Sequence, residues 1–419
     1  MNLEETVKNI ASGAREASLK LATASEGAKN AALLRLASLI EENAGRIIEE
    51  NAKDLAAAEG ISNAFRDRLA LNPKRIAAMA DGVRQVAALP DPVGTAISTV
   101  RRPNGLEIRK VRTPIGVIAI IYESRPNVTV DCAALCLKSG NASILRGGSE
   151  AFNSNAFLAG LVSRALEDAG LDRRCVQAIP TSDRAAMNTL LKLDSLIHCV
   201  IPRGGEKLIR FVVENSSIPV IKHYKGVCHI YIDESANPEM AAAIAVNAKC
   251  QRPGTCNAAE NLLASRRAAP AFLKAAAELA ENGVEIRADA EAAKFLSENG
   301  VKTVEASEDD FFEEYSDLVI SAKFVEDTDE AIRFINAHSS GHSDAIVTES
   351  EAEARKFLSG VDSSCVYWNA STRFTDGFEF GLGAEIGIST DKLHARGPMG
   401  LEELCSYKYE ITGNGQLRG

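Results

Sequence analysis

The chain has no hydrophobic run long enough to cross a bilayer. Its most apolar stretch, around Ile115–Tyr122, falls far short of the roughly 20 residues a spanning helix needs. Its opening, MNLEETVKNIASGAREAS, carries no apolar core of a secretory leader, so a cytoplasmic protein is expected. No C-x2-C pair occurs among its nine cysteines. Neither Cys132/Cys136 nor Cys250/Cys256 has zinc-ligand spacing, and an odd number of cysteines without a leader reads as reduced thiols. His338 and His342 lie in HSSGHSD, where Gly341 and the serines suggest a turn, so no metal site is expected. A formal net charge of -10 argues against nucleic acid as the main partner, although a local basic site stays open. There is no internal repeat, low-complexity tract, long linker or G-x-G-x-x-G fingerprint.

What is present is an ordinary globular composition, 46% hydrophobic and 25% charged, in 419 residues, enough for two or three domains. Residues 1–90 are rich in Ala, Leu and Glu with helical periodicity, as at Leu33, Leu36 and Ile40. Thr23 and Glu26 read as a capping box opening a helix through the late fifties. Asn104-Gly105 predicts a hairpin in the polar stretch TVRRPNGLEIRKVRTP, an arm projecting from the body. The tail SYKYEITGNGQLRG alternates like an exposed strand and could pair with that arm. From 115 onward, strands alternate with amphipathic helices: PIGVIAIIY, ASILRGG, CVQAIP, SLIHCVIPRGG and IPVIKHYKG, then VCHIYID, GVEI, DLVISAKFV, DAIVT and SSCVYWN. This alternation predicts an α/β fold with two doubly wound parallel-sheet domains and a small β arm.

Ligands bind such sheets where strands end and helices begin. Two junctions are glycine pairs, Gly147-Gly148 after Arg146 and Gly204-Gly205 after Arg203. They read either as tight turns or as phosphate-binding turns at helix N-termini. Arg146 favours the second, since an arginine near an adenosine ribose suits a 2′-phosphate. In QRPGTCNAAENLL, Cys256 follows a Pro-Gly turn and precedes an apparent helix start. There the helix dipole would favour thiolate, whereas most cysteines of such a chain are small buried apolar residues. Cys132, Cys136, Cys199 and Cys228 lie in apolar segments and are read as buried.

The motif order YESRPN, LRGGSEA, IPRGGEKL, HYKGVCHIYID and PGTCNAAENLL resembles the aldehyde dehydrogenase superfamily over nearly the whole chain. Within it, IYESRPNVTVD, QRPGTCNAAE, INAHSSGHSDAIVT and HARGPMGLEEL look like the gamma-glutamyl phosphate reductases. The resemblance implies an NADP-binding domain (1–98 and 115–228), a catalytic domain (229–395) and an oligomerisation arm (99–114 and 400–419). The implied reaction is NADPH-dependent reduction of L-glutamyl 5-phosphate to L-glutamate 5-semialdehyde with release of phosphate, the second step of proline biosynthesis. An NADP-linked aldehyde dehydrogenase of other specificity is the alternative.

Carried onto this chain, the resemblance makes Cys256 the nucleophile, forming a thioester, and Asn127 an oxyanion donor beside the Cys256 N–H. Arg146, Gly148, Ser149, Gly204, Gly205, Gly226 and Glu314 are implied cofactor-binding residues. Arg125, His223 and Arg396 are candidates for the substrate's anionic ends, and each also reads as an ordinary surface or ion-pairing residue. Where aldehyde-oxidising relatives carry a glutamate base, Lys222–Gly226 (KHYKG) has no carboxylate, which suits a thioester resolved by hydride or phosphate instead of water. The implied partners are a small-molecule substrate, further copies of the chain and a glutamate kinase, with neither membrane nor nucleic acid.

Overall fold

The computed structural model describes residues 2–58, 60, 63–222 and 224–418. The chain forms two compact units. The first comprises residues 1–222, 381–387 and 399–419, and the second 223–380 and 388–398. The division thus falls at 222/223, residues 381–387 cluster with the first unit, and so does the arm.

In the first unit, β1 (Ala96–Arg101) and β2 (Glu107–Pro114) form the arm. β3 (Val117–Tyr122), β4 (Ala142–Gly147), β5 (Val176–Ala178) and β6 (Cys199–Arg203) form a parallel sheet in the order β5-β4-β3-β6. Every residue of β3 is buried; a β-branched run enclosed on both faces is what a central parallel strand requires. The helical layer begins with Leu3–Leu21, capped by an Asn2/Glu5 capping box. The next cap is Ser25, whose hydroxyl accepts the Ala28 N–H, and not Thr23. The expected single helix breaks into Glu26–Glu42 and Ala44–Ala57. At the break, the Asn43 amide donates back to the Leu39 carbonyl at 2.7 Å, terminating the first helix with a side chain.

Among its described residues, IPVIKHYKG does not form the expected strand. It makes one isolated bridge, Val200 to Val220, because Pro219 has no N–H with which to extend the ladder. The arm turns through Gly105 at φ 88°. β2 pairs antiparallel with β1 on one side and with the C-terminal strand Cys405–Thr412 on the other. Both outer strands are almost wholly exposed and carry Ile97, Val100, Tyr407, Tyr409 and Ile411 outward.

The second unit holds a parallel sheet of β7 (Cys228–Ile232), β8 (Ala259–Ser265), β9 (Glu285–Ala288), β10 (Val304–Glu305), β11 (Val319–Val325), β12 (Ser343–Val347) and β13 (Cys365–Trp368). Its order is β10-β9-β11-β8-β7-β12-β13. β8 lies near the centre, paired with β7 and β11 and buried along its whole length. The segment after Cys256 is therefore a strand, which corrects the helix expected there. Ala-Glu-Asn-Leu-Leu has good helix propensity, and two neighbouring strands override it. Glu260 on β8 forms a fully buried pair with Lys249, at 2.6 Å, on the helix Pro238–Cys250.

Candidate active site

Cys256 sits half-buried on a β-turn in which the Ala258 N–H donates to the Thr255 carbonyl at 2.9 Å. No helix follows, so a helix dipole contributes nothing to this thiol. Its environment comes from tertiary contacts instead. The Cys256 carbonyl points inward and accepts the Cys228 thiol at 3.3 Å. A Cβ placed on Gly226 would lie 2.0 Å from that carbonyl oxygen and 2.5 Å from the Cys256 Cα, so the two backbones touch only because residue 226 has no side chain. The Cys256 N–H donates to no partner among the described residues. The turn thus combines an inward carbonyl, an N–H without a partner among the described residues and a partly buried cysteine.

The turn is anchored by Asn257, which is 4% exposed. Its amide donates to the Thr375 carbonyl at 2.9 Å, and its carbonyl accepts Thr372 Oγ1 at 2.7 Å. Arg373, on the 3-10 turn Thr372–Phe374, donates from Nη1 to Asn257 Oδ1 and from Nε to Gln251 Oε1 at 2.7 Å. Burial and the neighbouring Arg252 lower the Arg373 pKa, while the charges of Cys256 and Asp376 oppose that shift. Sequence reading passed over Arg373; the Ser-Thr-Arg following a strand end was its one visible signal.

Of the other candidates in this unit, Glu314 acts electrostatically on buried Glu260, which burial pushes upward in pKa against the pull of Lys249. Glu313 reaches the KHYKG stretch but is bound by Lys225 at 3.0 Å. Arg396 pairs with Asp362, Nη1 to Oδ1 at 3.0 Å and Nη2 to the carbonyl at 2.7 Å. His223 lies outside the described residues. Cys228 is fully buried, and burial holds its thiol well above the ordinary range, as expected of a structural cysteine. Among the described residues no three His, Cys, Asp or Glu side chains converge as metal ligands.

In the first unit, Asn127 opens the helix Asn127–Lys138 and donates one amide N–H to Asp131 at 2.7 Å. Desolvation pushes Asp131 up to about 6 despite that bond and Arg203. Arg125 lies in the turn between β3 and this helix. Beside it Ser124 takes φ 61°, a left-handed conformation uncommon outside glycine and found most often at functional turns.

Arg146, Gly148 and Ser149 share a cavity of about 510 Å³ with Glu123, Glu150, Arg184 and Lys207. Gly204 and Gly205 stand beside it through Glu123. The Gly205 N–H donates to Glu123 at 3.1 Å, and a Cβ on Gly204 would meet the same carboxylate at 2.3 Å. Glu150 in turn accepts the Ser124 N–H at 2.6 Å and fills the space above Gly148. Two carboxylates thus occupy the glycine turns from which phosphate-binding N–H groups were expected. Burial raises the Glu123 pKa, and Glu150 raises it further.

A thiol on a buried-strand turn and strand-end glycines facing a charged cavity are matched at family level. A sequence profile of the aldehyde dehydrogenase family matches residues 2–306 and 301–408, and the chain belongs to that family. The relatives are more specific. A gamma-glutamyl phosphate reductase of Opitutus terrae is 58% identical over 100% of this chain and 99% of its own. One from Carboxydothermus hydrogenoformans is 54% identical over 99% of this chain and 100% of its own. The crystal structure of a Thermotoga maritima gamma-glutamyl phosphate reductase superposes with a TM-score of 0.95 at 45% identity, covering 99% and 100% of the two chains. Within the aldehyde dehydrogenases, this chain is a member of the gamma-glutamyl phosphate reductase group.

Proposed function

We propose that the protein reduces L-glutamyl 5-phosphate to L-glutamate 5-semialdehyde with NADPH, releasing phosphate, as the second step of proline biosynthesis. One observation carries the chemistry: the partly buried Cys256 sits on a turn where its own N–H has no partner among the described residues. The thiolate attacks the acyl carbon, the C–O bond to phosphate breaks, and a thioester forms. The Cys256 N–H receives the oxyanion, and Asn127, whose amide donates to Asp131, is carried over from the family resemblance as the second donor. KHYKG offers no carboxylate to activate water, which suits a thioester resolved by hydride or phosphate.

The first-unit cavity fits an NADP cofactor. Arg146, Arg184 and Lys207 supply cations, and Ser149 a hydroxyl, suited to a 2′-phosphate. When bound, the cofactor supplies hydride to the thioester carbon. Gly148, Gly204 and Gly205 stay assigned to the cofactor, whose entry requires the Glu150 and Glu123 side chains lying against Gly148 and Gly204 to swing aside, and Gly226 and Glu314 are carried over from the family resemblance as further contacts. Arg125, His223 and Arg396 stay assigned to the substrate's anionic ends, Arg396 only if Asp362 releases it.

The arm is the surface for a second copy, since two exposed strand edges with apolar side chains invite strand addition. Nine free thiols suit a reducing cytoplasm, and the lability of an acyl phosphate gives a glutamate kinase reason to dock nearby.

The reading is tested in reverse. With glutamate semialdehyde and NADP, cofactor reduction is expected to need inorganic phosphate, dropping to a single turnover without it. Steady cofactor reduction in phosphate-free buffer would show an ordinary aldehyde dehydrogenase.

A further inference from the structure

Two residues flanking Cys256 hold the same guanidinium. Arg373 donates through Nε to Gln251 and through Nη1 to Asn257, and its own carbonyl accepts the Asn257 amide at 3.4 Å. The cation is thereby locked to both ends of the turn that carries the sulfur. Its Nη2 has no hydrogen-bond partner among the described residues, and no carboxylate pairs with it there. A half-buried cation with no carboxylate in ion-pair contact among the described residues is a costly arrangement that a fold keeps when a ligand supplies the charge. Arg252, exposed on the same loop, adds a second positive charge within reach of the first. The charges facing Arg373 are Asp376 on the following turn and the thiols of Cys256 and Cys228.

We propose that Arg373 is the phosphate-binding residue of the thiol site, its free Nη2 gripping the phosphate that leaves as Cys256 forms the thioester. This rests on Cys256 being the nucleophile. In that step the sulfur–carbon bond forms, the carbon–oxygen bond to phosphate breaks, and the electron pair departs on a phosphate oxygen without redox change. The assignment to phosphate over the substrate's α-carboxylate follows from connectivity. Phosphate is attached to the very carbon the sulfur attacks, whereas the carboxylate lies at the far end of the glutamyl chain. A planar guanidinium with paired donors matches phosphate better than an ammonium does.

The test has two arms. In the reverse reaction, Arg373→Gln is expected to raise KM for phosphate at least about tenfold, the scale of one charge-assisted hydrogen bond. KM for glutamate semialdehyde should stay within about twofold, and Arg373→Lys should fall between the parent and Gln. The second arm uses the unmodified enzyme and reads carboxymethylation at Cys256 by peptide mass. Anionic iodoacetate should be favoured relative to neutral iodoacetamide, inorganic phosphate should suppress that preference, and Arg373→Gln should abolish it. Thiol reactivity itself cancels in this ratio, so a merely structural arginine would leave it unchanged. Phosphate failing to compete, or Arg373→Gln raising KM for the semialdehyde in place of phosphate, overturns the proposal. Were Cys256→Ser to remain active, the nucleophile assignment would fall instead, so the two failures are distinct.

Discussion

Cys256→Ser is expected to fold normally and to lose at least about 10⁴-fold in turnover, the scale seen when a nucleophile is removed from a covalent mechanism. Folding is spared because the contacts that hold this position belong to its backbone. The carbonyl accepts Cys228 Sγ and abuts Gly226, and the anchoring side chain is that of Asn257. Function is lost because a hydroxyl needs an adjacent base to act as a nucleophile. Steady-state cofactor oxidation with freshly made glutamyl phosphate reads the rate, and a thermal melt confirms the fold. A serine enzyme within tenfold of the parent would remove Cys256 from the chemistry.

Gly226→Ala is expected to be nearly as harmful without touching a reactive group. The added methyl would lie 2.0 Å from the Cys256 carbonyl oxygen and 2.5 Å from its carbonyl carbon. Those are backbone atoms, which cannot swing aside as a side chain can. The turn must move, and a displacement of about 1 Å at a catalytic group costs on the order of 100-fold in rate. Overpacking of this kind adds roughly 1–3 kcal/mol of destabilisation. Gly160→Ala is the control. It lies within the helix Phe152–Asp168 with nothing within 4 Å of its added Cβ, so it should raise stability slightly and leave the rate unchanged. Rate measurements and urea midpoints on both variants check this. Parent-like kinetics for Gly226→Ala would mean that the close approach does not position the thiol.

What could be read from the residues beforehand follows the range of the forces involved. The buried strand Val117–Tyr122 and the Asn104-Gly105 hairpin are local features, a β-branched run and a turn dipeptide, and both are present. The strand Ala259–Ser265 was illegible because Ala-Glu-Asn-Leu-Leu favours helix locally and becomes a strand through pairing with β7 and β11. That error made a helix dipole seem the source of Cys256's chemistry, whereas the turn is built by contacts to Gly226, Cys228 and Arg373. Arg373 meets Asn257 across 116 positions, a separation no spacing rule covers. The pairing of Arg396 with Asp362 spans 34 positions and is likewise invisible in the linear order. The glycine turns were visible, while the Glu123 and Glu150 carboxylates lying against them follow from tertiary packing.

The central claim is that the reaction passes through a thioester on Cys256, and the mass of the protein tests it most directly. The enzyme is mixed with glutamate semialdehyde and NADP in phosphate-free buffer, quenched in acid and analysed intact and as peptides. One glutamyl group per chain, confined to the peptide containing Cys256 and discharged on adding phosphate, is the predicted result. An unmodified Cys256 peptide under conditions where cofactor is reduced, or the adduct on any other residue, would contradict it.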